Sequence, residues 1–174
     1  MNWTELLNLL VKRTPSEVSV FLHEADDGTY IATPALGTDG VQDSDAKDTT
    51  TANTYITVFQ ATLTGPADEL KRQLKGLYFS LEAFLRAVST ATADVTLQWS
   101  AKSHSKSTWV NIMAETTYAN INTTYLSKPF TGHVRPQTNL DEWPIDIRCQ
   151  IKADELNEGR GKIRNTSFVT ARFQ

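Results

Sequence analysis

The chain has 174 residues, 40% of them hydrophobic and 21% charged, with a formal net charge of -3 and a single cysteine. That length suffices for one domain with its own hydrophobic core and no help from disulfides or metal. The negative balance argues against a protein built to grip nucleic acid, which needs a concentrated positive field, and no run approaches the roughly 20 apolar residues that span a bilayer as a helix.

One cysteine allows no intrachain disulfide and suits a reducing compartment. The opening stretch MNWTELLNLLVKRTP has no basic n-region and no small-residue cleavage site, so synthesis without a secretory leader, in the cytoplasm, is expected. The N-x-[ST] triplets at Asn2, Asn122 and Asn165 are then coincidences of a threonine-rich chain.

In chain order, residues 2 to 13 are expected to be a short helix. Asn2 and Glu5 have capping-box spacing, and Trp3, Leu6, Leu7, Leu10 and Val11 share one face until Pro15 stops the element. EVSVFLHEADDGTYIAT follows as a hairpin, with Val18, Val20 and Leu22 alternating and Asp27-Gly28 as its turn. From 34 to 53 the chain is polar, with no large aromatic side chain, and reads as a long loop or arm. TYITVFQATL (54 to 63) resumes as a strand.

Residues 64 to 89, TGPADELKRQLKGLYFSLEAFLRAVS, are expected to form a long amphipathic helix. Thr64 suits the N-cap, Pro66 the first turn, and Asp68 and Glu69 the positive end of the dipole. Leu70, Leu74, Leu77, Leu81, Phe84 and Val88 recur at spacings of four and three, too wide a stripe with Tyr78 and Leu85 for a coiled-coil seam. DVTLQWSA (94 to 101) alternates strictly and is expected to pair with STWVNIMAET across a KSHSK loop, setting Trp99 opposite Trp109. The second of these strands is apolar on both faces and so calls for a covering layer or another chain. Residues 117 to 142 read as irregular. PIDIRCQI (144 to 151) and KIRNTSFVTARFQ close the chain as a further hairpin. The whole reads as one α+β domain, 1 to 174: a mostly antiparallel sheet covered by one long helix and a short N-terminal helix.

No pattern specifies a chemistry. Asp39, Asp43, Asp45 and Asp48 lack the glycine and glutamate of an EF-hand loop. His23, His104 and His133 have no zinc-type spacing, and Cys149 lies within an apolar alternation, as a buried core thiol does. Glu24, Asp26 and Asp27 build a turn, and the basic KSHSK and GRGKIR are hairpin tips. No catalytic residue, cofactor or metal is expected. What the sequence offers is surface: a polar arm with Asp39, Asp43, Asp45, Asp48 and Thr50, and a two-sided apolar strand with Trp109, Val110 and Ile112. Both are expected to contact other subunits.

The segment TANTYITVFQATLTGPADELKRQL (51 to 74) is similar to the strand-to-helix junction of bacteriophage tail terminator, or tail completion, proteins. The order of elements over residues 2 to 114 resembles that family in outline, while the stretch 117 to 142 exceeds what its shorter members carry. The resemblance implies a non-enzymatic virion protein that forms a homohexameric ring at the tail or neck and meets other tail proteins. It implies no specific nucleic acid and no membrane. A tail tube or baseplate component is the neighbouring alternative, and a small-molecule or peptide binding module the alternative of another class.

Overall fold

The structure is a computed structural model and describes residues 17–22, 46–63, 72–88, 92–155, 158–164 and 167–173. The expected N-terminal helix and the Asp27-Gly28 turn lie outside them. Among the described residues, twelve strands follow one another: β1 (Glu17–Phe21), β2 (Lys47–Asp48), β3 (Ile56–Leu63), β4 (Arg72–Ala87), β5 (Thr92–Ser103) and β6 (Val110–Asn111). Then come β7 (Thr116–Asn122), β8 (Leu126–Val134), β9 (Glu142–Trp143), β10 (Ile145–Ala153), β11 (Gly159–Ile163) and β12 (Phe168–Phe173).

The α+β expectation is corrected: no helix occurs among the described residues. Residues 72 to 87, expected as the body of the long helix, are a 16-residue strand. Phe79, Leu81, Ala83, Leu85 and Ala87 point inward, while Tyr78, Ser80, Glu82, Phe84 and Arg86 point out. The leucine spacing of three that suggests a helix turn has a different origin. Gly76 pairs with Arg172 and Leu74 with Phe173, so Lys75 is an extra residue on β4. That bulge reverses the alternation and lets Leu74 and Leu77 both face the core. Partners distant in sequence override a local helical preference.

Those partners line both edges of β4. β12 and β11 lie end to end along one edge, and β8 and β9 along the other. With β1 and β2 they form a seven-stranded antiparallel sheet. The second sheet has five strands in the order β3-β10-β5-β6, with β7 also on β5. Four antiparallel pairs nest within one another: β1 with β12, β3 with β10, β4 with β8, and β5 with β7. A long hairpin wound over on itself gives this nesting. The topology is an eight-stranded jelly roll, with β2, β6 and β9 as short additions and β11 as an end-to-end extension of β12.

The expected closing hairpin is therefore a crossover. β10 pairs with β3 and β5 in one sheet, while β11 and β12 belong to the other, so the closing strands do not pair with each other. The stretch expected to be irregular, 117 to 142, holds most of β7 and all of β8, which bridge the two sheets. The β5–β6 pairing is antiparallel as expected, but its register is Ala101 with Val110 and Ser100 with Asn111. Trp99 and Trp109 therefore face opposite sides of the sheet, since side chains alternate along a strand.

The core lies between the sheets. Trp99, Trp143, Leu97, Ile145, Ile147 and Cys149 are fully buried there with Leu77, Leu85 and Val169. The sheets approach closely at β11: a methyl group on Gly161 would stand 3.0 Å from Ile151 Cδ1 of the opposite sheet.

Candidate functional surfaces

With the interior filled, the outer faces and ends of the roll carry whatever it offers to partners. On the outer face of the second sheet, Asp146 of β10 accepts from Lys102 at 2.5 Å and from Thr62 Oγ1 at 2.8 Å, and His104 Nδ1 lies 2.8 Å from it. Burial pushes the Asp146 carboxyl up, but the hydrogen bonds from Lys102, His104 and Thr62 together hold it below its ordinary value. Beside it, the Arg148 guanidinium lies 4.3 Å from the Trp109 ring centroid, and Lys152 bonds Glu115 at 2.6 Å with its ammonium over Tyr55. Aromatic side chains thus lie over this polar face from two places in the chain, Trp109 just before β6 and Tyr55 just before β3.

Those contacts place the expected interface residues. Trp109 and Val110 are half-buried and Ile112 is buried. The Ile112 and Met113 backbone N–H groups both donate to the Trp99 carbonyl. The apolar side chains of this segment thus find cover inside the chain: Ile112 and Met113 join the core, and Trp109 lies on Arg148. Only Val110–Asn111 is strand. Asp48 lies on β2, at the edge of the other sheet, in a two-point ion pair with Arg160. The hydrogen bonds from Arg160 keep the Asp48 carboxyl low. Thr50 is exposed next to the fully buried Thr49. Asp39, Asp43 and Asp45 lie outside the described residues. The structure thus sets Asp48 and Thr50 in and beside the edge strand β2 of one sheet, and Trp109, Val110 and Ile112 in and beside β6 of the other.

Two further features come from residues scattered through the sequence. At one end of the first sheet, a groove of 530 Å³ is lined by Lys75, Tyr78, His133, Arg135 and Arg172, with Glu17 its one carboxylate among the described residues. Tyr78 and His133 stack at 4.4 Å between ring centroids, and Gly76 leaves the space, since a methyl there would stand 2.9 Å from His133 Nε2. Arg172 lies over the Tyr78 ring, donates to the Tyr78 hydroxyl at 3.2 Å and bonds Glu17 at 2.7 Å. Lys75 and Arg135 are exposed and have no ion pair among the described residues.

At the opposite end, Asp94, Asp154, Glu155 and Glu158 line a 230 Å³ cup with Thr92, Ala93 and Asn120. Val88, just past β4, donates to the Glu158 carbonyl, which fixes this cup at the far end of the strand that starts beside the groove. Among the described residues, no group of three or more His, Cys, Asp or Glu side chains is placed to hold a metal ion. Cys149 is buried in the core, and burial pushes its thiol far up, away from the nucleophilic thiolate. No described helix is long and apolar enough to cross a membrane.

No family model and no curated protein matches the sequence. Among solved structures, a chain in the T13 particle of infectious bursal disease virus is similar at TM-score 0.50 and 12% identity, over 91% of this chain and 32% of that one. A structure of the Gt strain of that virus gives 0.49 and 11%, over 92% and 34%. A VP2 subviral particle of the same virus gives 0.48 and 9%, over 74% and 30%. This chain spans about a third of the length of those proteins. At such identities the likeness is one of fold.

Proposed function

We propose that the chain is a non-enzymatic structural component of a virion, a jelly-roll unit that works by associating with copies of itself and with other virion proteins. The observation that carries this reading is the nested double sheet with its interior filled by Trp99, Trp143 and their neighbours. Such a body presents faces, edges and ends. The fold is shared with a chain from a virus particle, which supports the same reading without fixing the role. Synthesis in the host cytoplasm and incorporation into the particle follow from it.

The tail-terminator form of this reading needs a strand running into a long helix, and residues 72 to 87 are a strand. A ring at a phage tail or neck is therefore one geometry among those open to a self-associating roll, as are a tube or baseplate component and a shell. The alternative of a binding module has the groove beside Tyr78 and His133 in its favour.

The two are separated by the dependence of melting on protein concentration. Association through folded surfaces raises the melting temperature as protein concentration rises. A monomeric binding module melts at a fixed temperature and shifts only with its ligand.

A further inference from the structure

We propose that the basic groove at one end of the roll receives the acidic bend Asp154–Glu155 of a second copy, so that copies join head to tail. This rests on the self-associating reading above and adds to it the residues that meet.

Opposite charges gather at opposite ends of the roll. The chain is acidic overall, yet Lys75, Arg135 and Arg172 gather at one end and Asp94, Asp154, Glu155 and Glu158 at the other. Gly76 at the groove and Ala87 near the cup are eleven residues apart along β4, roughly 35 Å at strand rise. Over that span, several Debye lengths at physiological salt, the two ends act independently on a neighbour. Groove against groove, or cup against cup, would set like charges together, which is disfavoured at an interface. Groove against bend pairs opposite charges, and because the two surfaces differ, the contact is heterologous. Repeated, it closes a ring or continues as an open array.

Each side is prepared for this. In the groove, Glu17 and the Tyr78 hydroxyl hold Arg172 in place, while Lys75 and Arg135 remain exposed. The bulge at Lys75 sets it off from the regular ladder. On the acidic side, Asp94 accepts the Asn120 N–H at 2.9 Å, and Asp154 accepts the Asp94 N–H through Oδ1 at 3.2 Å. Asp154 Oδ2 and the exposed Glu155 carboxylate are left to accept from lysine and arginine across the contact.

Complementary charge reversal tests it. Sedimentation velocity over a concentration series at low salt would compare the wild type with Lys75→Glu/Arg135→Glu and with Asp154→Lys/Glu155→Lys. All four side chains are exposed, so circular dichroism should report folded variants, and melting at dilutions where no form associates should stay near the wild type, lowered in the bend variant only by loss of the Asp94 N–H bond to Asp154. Each double variant alone should need at least about tenfold more protein to associate, which is about 1.4 kcal/mol. An equimolar mixture of the two should recover association near the wild-type level, since every contact is again between unlike charges. Wild-type-like association by either variant alone overturns the inference and leaves the self-associating reading standing. Loss in the groove variant alone, with the bend variant unaffected, also overturns it, because another acidic group then fills the groove. So does a mixture that fails to recover. A wild type that never associates removes both.

Discussion

Gly159 of β11 packs against Ala153 of β10 so closely that a methyl group on the glycine would stand 3.1 Å from Ala153 Cβ, with Val95 Cγ2 at 3.2 Å and Thr49 Cγ2 at 3.3 Å. Three elements from two sheets meet there, and none of the three atoms is the end of a long, yielding side chain. Gly159→Val should therefore cost about 1–3 kcal/mol by overpacking, read as a lower denaturant midpoint with an unchanged slope. A neutral result would mean that the sheets are not this close at β11.

Ser167 accounts for the way β11 and β12 continue along one edge of β4. Its hydroxyl accepts the Glu82 backbone N–H at 2.9 Å, and Arg164 N–H donates to the Glu82 carbonyl at 2.9 Å, so the ladder is bridged where the two strands break. Ser167 is almost fully buried. Ser167→Ala leaves a partly buried donor unpaired and should cost about 1–3 kcal/mol, with faster amide exchange at Glu82 as the local signature.

The two tryptophans of the β5–β6 pair should behave differently. Trp99 is fully buried in the core, and Trp99→Ala should cost about 3–5 kcal/mol. Trp109 lies half-buried over Arg148 and Lys102, so Trp109→Ala should cost no more than about 2 kcal/mol, the upper range of a cation–π contact. Equal losses would contradict the register that puts them on opposite faces.

Acid should weaken the fold through Asp146. Its folded carboxyl sits below the ordinary 3.8, so the unfolded chain takes up the proton first as pH falls. The stabilisation is present above the ordinary value and is lost as pH drops through the lower, folded one. Denaturant melts between pH 6 and pH 2 should show Asp146→Asn less stable than wild type at the upper end, with the gap closing at the lower end. A gap independent of pH would mean that the carboxylate charge contributes nothing.

Much of this architecture is legible in the sequence, but β4, β7, β8 and the groove are not. Val18 and Val20, the run from Thr54 to Leu63, the alternation from Val95 to Ala101 and that from Ile145 to Ile151 all announce strands, and strands they are. β4 misleads because two periods fit the same residues. Leu74, Leu77, Leu81, Phe84 and Val88 suit a helix, whereas Leu77, Phe79, Leu81, Ala83, Leu85 and Ala87 suit a strand. The bulge at Lys75 manufactures the helical spacing, and the choice is made by β8, β11 and β12, more than 40 residues away in sequence. β7 and β8 are hidden for another reason: half of their side chains face solvent, so threonine, asparagine and lysine fill them. The groove is invisible because its lining comes from β1, β4, β12 and the end of β8. The charge of Asp48 suggests a contact surface, and the ion pair it makes with Arg160 across the sheet is not visible in the sequence.

Light scattering of the purified chain over a wide concentration range tests the self-associating reading most directly. The mass should begin near the 19.4 kDa of one chain and climb with concentration toward a multiple of it, and it should fall back at high salt. A mass that stays at one chain across the whole range and at every ionic strength would contradict the account.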